Sequence, residues 1–176
     1  LREALAQMAR IQPTLELNGT GRADVAMEAV VEDLEIKRRV FAELDVRLPE
    51  HAVLATNTSS LSVDALAQGL THAGRVCGFH FFNPVHRMPL VEIVRGKLTT
   101  DQTLVTAVAL ARRMGKTPVV VADSPGFVVN RILMPYLGEA MVMLEEGYPL
   151  AEIDAAMRGF GMPMGPFGVL DEVGLD

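Results

Sequence analysis

The segment Gly78-Phe79-His80-Phe81-Phe82-Asn83-Pro84 and the following Leu90-Val91-Glu92-Ile93-Val94 place one histidine and one carboxylate on two apolar runs joined by a polar turn. Both runs are rich in aromatic and β-branched residues and read as strands, with Asn83-Pro84 and Met88-Pro89 bracketing the connection. A hairpin is the simplest join. With its turn centred near His86, Phe82 faces Leu90 and His80 faces Glu92, and the two polar groups become cross-strand neighbours on one face. A carboxylate beside an imidazole fixes its tautomer and stabilises the imidazolium, which suits the histidine to taking a proton from a substrate hydroxyl. A buried His-Glu pair that only satisfies itself has the same spacing.

The elements that must position this pair alternate along the chain. Leu1 to Arg10 has helical spacing at Leu5, Met8 and Ala9 and is stopped by Pro13, and Thr14 to Leu17 reads as a short strand. Asp24 to Val31 is a second apolar strand. Asp33 caps a charged helix from about Leu34 to Arg47, whose buried stripe is Leu34, Val40, Phe41 and Leu44. Val53 to Thr56 returns to the sheet, Ser62 caps a short helix through Leu70, and Arg75 to Phe82 is the histidine strand. Thr100 or Asp101 caps a helix reaching Met114, and Thr117 to Ala122 is the last strand. After Asp123 the pattern becomes helical. Ser124, Pro125 and Gly126 start a long apolar helix through Glu146, and Leu150 to Arg158 makes another before a Gly/Pro/Met loop from Gly159 to Pro166. The methionines of this half, Met134, Met141, Met143, Met157, Met162 and Met164, read as adaptable core packing, and any apolar face left uncovered predicts oligomerisation or domain exchange.

Composition narrows the class. A chain of 176 residues with 49% hydrophobic and 22% charged residues can bury a substantial core, and no apolar run is long enough to cross a bilayer. Membrane insertion is not expected. A net charge of -6 argues against general nucleic-acid affinity. Cys77, the single cysteine, excludes an intramolecular disulfide and suits a reducing compartment; it reads as a buried, inert thiol. His51, His72 and His86 read as surface residues, and no His or Cys pair has metal-ligand spacing.

Five ordered motifs resemble the 3-hydroxyacyl-CoA dehydrogenase family. They are Glu28-Ala29-Val30-Val31-Glu32-Asp33, Ala55-Thr56-Asn57-Thr58-Ser59-Ser60-Leu61, His80-Phe81-Phe82-Asn83-Pro84-Val85, Asp123-Ser124-Pro125-Gly126-Phe127-Val128-Val129-Asn130-Arg131 and Pro163-Met164-Gly165-Pro166-Phe167. The connecting Val85 to Ile93 further resembles the dehydrogenase part of bacterial multifunctional fatty-acid oxidation α subunits. The resemblance implies an α/β fold: a Rossmann-like NAD-binding sheet lacking its first βαβ over residues 1–123, then the start of an all-α C-terminal domain over 124–176. Gly19-Thr20-Gly21 lacks the third glycine of the dinucleotide fingerprint and precedes a strand, so the glycine loop of the family is expected upstream, and the chain reads as cut at both ends.

The resemblance also implies roles. His80 is the base and Glu92 its orienting carboxylate in the oxidation of a (3S)-3-hydroxyacyl-CoA to the 3-ketoacyl-CoA, with NAD as cofactor. Ser59 and Asn130 hold the reacting oxygen. Glu32 and Lys37, with Val31 and Asp33, match positions on the nicotinamide-ribose side, Asn57 and Ser59 after the β-strand face cofactor and substrate, and Asn83 matches a position lining the nicotinamide pocket. Read without the resemblance, Glu32 is a surface strand end, Lys37 a solvated helix residue, Asn83 a turn former and Ser59 part of a helix cap. The parent would act in β-oxidation in a bacterial cytoplasm, in company with a thiolase subunit. Two other readings stay open: an incompetent fragment keeping acyl-CoA or oligomerisation surfaces, and a dehydrogenase of free 2-hydroxyacids or β-hydroxyacids, whose members resemble the chain less and do not share the His-Phe-Phe-Asn-Pro run with Glu92.

Overall fold

The computed structural model describes residues 2–17 and 19–174. The chain forms two compact units, Leu1–Asp123 and Ser124–Asp176. In the first, helix α1 (Arg2–Met8) is followed by strand β1 (Val25–Glu28), helix α2 (Leu34–Arg47), β2 (Val53–Thr56), α3 (Val63–Ala67), β3 (Val76–Phe81), β4 (Leu90–Arg95), α4 (Asp101–Arg113) and β5 (Thr117–Ala122). The second contains α5 (Val129–Glu145), α6 (Leu150–Phe160) and α7 (Pro166–Val173).

The five strands lie in chain order, β1-β2-β3-β4-β5. β1, β2 and β3 are parallel, β4 runs antiparallel to β3, and β5 is parallel to β4. Pleating sorts the side chains into two faces. Ala55, Cys77, Phe79, Val91 and Ile93 pack against Leu104, Ala107 and Ala111 of α4 to form the main core. The opposite face carries Glu28, Thr56, Gly78, His80, Glu92 and Val94, aligned by the registers Glu28↔Thr56, Thr56↔Gly78, Gly78↔Val94 and His80↔Glu92. Gly78 is required where it stands: a Cβ there would come within 2.6 Å of Val94 Cβ, so only glycine lets β3 and β4 close at that level.

Several sequence expectations change. Leu1 lies outside the described residues, and although α1 forms, its Leu5 and Met8 are exposed. Thr14 to Leu17 is not a strand, because Thr14 Oγ1 donates to Glu16 O and accepts from Glu16 N, both at 3.1 Å, and so turns the chain locally. β1 stops at Glu28 rather than Val31, since the Glu28 carboxylate accepts the Val30 N–H at 2.6 Å and bends the backbone out of the sheet. Helix α3 ends at Ala67, ahead of Gly69 at φ 82°. α5 begins at Val129, because Gly126 (φ 73°) and Phe127 (φ 47°) occupy the left-handed region and the Phe127 N–H closes a turn onto Ser124 O at 2.8 Å.

In the second unit Ala140, Ile153 and Phe167 form a small core joined by Met143 and Leu170. Met134, Met141, Met162 and Met164 are exposed, so most of the methionine set is not core. Helix α7, which the Gly/Pro/Met pattern concealed, is opened by Pro166 and capped from a distance by buried Asp154, whose oxygens accept from Phe167 N (2.9 Å) and Gly168 N (3.2 Å).

Candidate active site

The antiparallel register of β3 and β4 sets His80 opposite Glu92, and His80 Nδ1 lies 2.8 Å from Glu92 Oε2. Both side chains are buried, at 8% and 2% exposure. The Phe82 ring is tilted over the imidazole with centroids 4.6 Å apart. A carboxylate at this distance accepts a hydrogen bond from Nδ1–H and stabilises the ring when it carries a positive charge, and the apolar surroundings strengthen that interaction.

A second ionic cluster occupies the same face at the ends of β1 and β2. Lys37 Nζ sits 2.7 Å from Glu28 Oε1, 3.2 Å from Glu32 Oε2 and 3.3 Å from Val30 O. The lysine side chain is 1% exposed and that of Glu28 0%, whereas Glu32 reaches solvent at 37%. Lys37 is therefore not the solvated helix residue its charge suggests. Glu32 Oε1 accepts from Thr58 Oγ1, from Ser59 N at 3.0 Å and from Ser60 N at 3.3 Å, with Ser59 Oγ 3.5 Å away. Burial opposes ionisation of Glu32, but the Thr58 and Lys37 side chains and the Ser59 N–H outweigh it and hold its pKa below the ordinary glutamate value.

The other sequence-selected residues of the first unit lie at or after the ends of β1, β2 and β3. Val31 and Asp33 are exposed in the turn after β1, where Asp33 Oδ1 caps α2 by accepting from Ile36 N at 2.8 Å. Asn57 is half-buried and ties two strand ends together: its N–H donates to Glu28 O (2.9 Å) and its Oδ1 accepts from Phe81 N (3.0 Å). Ser59 is exposed beside Glu32, and Asn83 is exposed in the connection after β3. Asn130 lies in the other unit, half-buried in the first turn of α5.

His51 and His86 are exposed, but His72 is half-buried, with Nδ1 3.4 Å from Asp45 and Nε2 3.6 Å from Glu50. It borders the buried Asp45–Arg75 pair (2.8 Å), which ties α2 to the approach to β3. Cys77 is buried in the core, where desolvation pushes its thiol up to about 12. Among the described residues no group of His, Cys, Asp or Glu side chains converges as a metal site, and no helix is long and apolar enough to cross a membrane.

Sequence reasoning overlooked Glu28, Thr56 and Thr58 as parts of this edge. A signal existed: Lys37, Phe41, Leu44 and Leu48 follow helical spacing on the buried stripe of α2, and a lysine there demands a carboxylate.

A Rossmann-like α/β unit with a buried His–Glu pair on adjacent inner strands, followed by a helical unit, is an architecture found in nicotinamide-dependent dehydrogenases. The sequence profile described as "3-hydroxyacyl-CoA dehydrogenase, NAD binding domain" matches residues 2–124, and that described as "3-hydroxyacyl-CoA dehydrogenase, C-terminal domain" matches 126–176. The chain belongs to the 3-hydroxyacyl-CoA dehydrogenase family. It is 47% identical over 169 residues to the fatty acid oxidation complex subunit alpha of a Psychrobacter species, covering 96% of this chain and 24% of that protein. Among solved structures it resembles (S)-3-hydroxybutyryl-CoA dehydrogenase of Ralstonia eutropha (TM-score 0.93, 40% identity, 99% of this chain and 63% of that one). The 3-hydroxybutyryl-CoA dehydrogenase of Escherichia coli K12 is equally similar in fold (TM-score 0.93, 39% identity, 98% and 37%). The chain thus spans about a quarter of the length of the curated relative it matches.

Proposed function

We propose that these residues form part of an NAD-dependent enzyme oxidising (3S)-3-hydroxyacyl-CoA to 3-ketoacyl-CoA in fatty-acid β-oxidation. The observation that carries the reading is the buried His80–Glu92 pair, 2.8 Å apart, beside the carboxyl ends of three parallel strands where ligands of open α/β sheets collect. With Nδ1 engaged by Glu92, Nε2 of His80 takes the hydroxyl proton, and Glu92 stabilises the imidazolium that results. Bound NAD would supply the hydride acceptor.

The donor set at the edge suits the nicotinamide half of that cofactor. Val31, Glu32 and Ser59 are exposed there, Asn57 is half-buried, and Glu32 stays ionised, as a group accepting ribose hydroxyls must. Lys37 is enclosed, so it acts behind Glu32, and Asp33 contributes by ordering the turn. Asn83 completes the nicotinamide side. For Ser59, and separately for Asn130 in the helical unit, contact with the reacting oxygen is what the family resemblance implies.

In this reading residues 1–123 are part of an NAD-binding domain and 124–176 part of the helical C-terminal domain. The parent is a larger bacterial cytoplasmic protein that meets a thiolase subunit and self-associates through its helical part, where Ile132, Phe160 and several methionines are exposed. The test is NADH consumption with a short 3-ketoacyl-CoA, using these residues alone and in a form extended upstream through a glycine-rich loop. Oxidation of NADH by the extended form supports the reading, and silence in both overturns it. Equal activity on the free ketoacid would move the substrate class.

A further inference from the structure

Glu28 has no role in the reading above, yet both of its carboxylate oxygens are engaged at the sheet edge. Oε1 accepts from Lys37 Nζ at 2.7 Å and Val30 N at 2.6 Å, and Oε2 accepts from Thr56 Oγ1 at 2.8 Å. Three segments meet on this one group: the turn after β1, the first turns of α2, and the last residue of β2. Each contact continues outward. The pinned Val30 N–H starts the turn that carries Val31 and Glu32. Thr56 Oγ1 accepts from Thr58 N at 3.3 Å, and Thr58 Oγ1 accepts from Leu61 N at 2.8 Å while donating to Glu32.

Charge explains why two carboxylates are needed for one lysine. A buried ammonium is costly unless paired, and Glu28, wholly enclosed, is the partner that neutralises it. Glu32 then carries the excess negative charge, and it is the member that reaches solvent. Without the Glu28 charge, Lys37 would be drawn onto Glu32, whose carboxylate would turn inward and release Ser59 and Ser60.

We propose that Glu28 is a positioning residue, a buried hub that holds the turns 29–33 and 57–61 in place and keeps Lys37 from withdrawing Glu32 from the cofactor face. The inference rests on the reading that Glu32 and Ser59 face cofactor and substrate. Its test uses the full-length polypeptide containing these residues, with and without Glu28→Gln, and two readouts. One is amide hydrogen exchange, and the other is NADH affinity alongside kcat. The expected result is about tenfold faster exchange at Val30, Ser59 and Leu61 with His80 and Ile93 unchanged, and about tenfold weaker NADH binding together with a lower kcat, since Ser59 moves with its turn.

Unchanged exchange in the two turns overturns the proposal, and so does uniform acceleration across the sheet, which would signify only lost stability. If the unsubstituted protein binds no NADH while Glu28→Gln still loosens the two turns selectively, the functional reading fails and the hub stands. Should Glu28→Gln not fold, Thr56→Val removes one arm of the hub. It is expected to speed exchange at Thr58 and Leu61 by about threefold, and wild-type rates there would overturn the inference.

Discussion

The two ionic clusters on one face of the sheet are built on opposite plans. His80 and Glu92 face each other across an antiparallel ladder, so strand register alone fixes their 2.8 Å contact. Glu28, Lys37 and Glu32 come from a strand end, a helix and a turn, and are held by hydrogen bonds from Thr56, Thr58 and the backbone. The first pairs a carboxylate with an imidazole, a group able to give or take a proton at its other ring nitrogen. The second surrounds one lysine with two carboxylates. In the proposed function the first arrangement serves to move a proton and the second to hold a shape and present the Glu32 carboxylate.

The largest effect should come from breaking the first cluster. His80→Gln is expected to lower kcat by about 10²–10⁴-fold and Glu92→Gln by about 10²–10³-fold, with the circular dichroism spectrum intact. A folded Glu92→Gln enzyme at full rate would put the pair back among structural ion pairs.

Breaking the second cluster should cost stability instead. Lys37→Met leaves two carboxylates facing each other without a cation, a loss of about 3–5 kcal/mol in urea unfolding at unchanged m. If the variant is as stable as wild type, the lysine is not the keystone of that edge.

Acid sharpens the contrast. Glu32 titrates below its ordinary value despite burial, because Thr58, Lys37 and Ser59 favour the carboxylate. A depressed folded pKa contributes stability that is complete above the unfolded value, about 4.3, and is lost as the pH falls through the folded one. Glu32→Gln should therefore flatten the pH dependence of stability below about pH 4.5, and leave its slope between pH 6 and 8 as in wild type. Asp45 is held low in the same sense: burial raises it, but Arg75 and the Thr71 and His72 N–H groups prevail. Asp45→Asn should flatten the same acid limb while sparing NADH affinity, whereas Glu32→Gln should weaken NADH binding as well. Equal NADH affinity in the two variants would erase the distinction between a structural and a site carboxylate.

The smallest effect concerns Cys77, on the α4 side of the sheet, with its thiol pushed up to about 12. A disulfide reagent at pH 8 should label it slowly in the folded protein and rapidly in urea, with activity unaffected until unfolding. Rapid labelling of the folded protein would mean that the core beneath the His80 strand opens readily.

By itself the sequence determined the features that depend on near neighbours. Period-two alternation and a short turn were enough to oppose His80 and Glu92, because a strand pair repeats every two residues and a hairpin admits few registers. Capping residues marked the starts of α2, α3 and α4, since Asp33, Ser62 and Thr100 act within three residues of themselves. What only the tertiary structure decided depends on groups far apart in the chain. That Glu32 gathers the 58–60 turn and that Thr56 closes on Glu28 follow from contacts 26 to 28 residues distant, which no local pattern encodes, and the Lys37–Glu28 pair that buries the lysine is set by how α2 packs on β1. The turn at Gly126 and Phe127 and the helix α7 escaped for a related reason: Pro and Gly mark a break in the chain, but packing decides whether a helix starts before or after it.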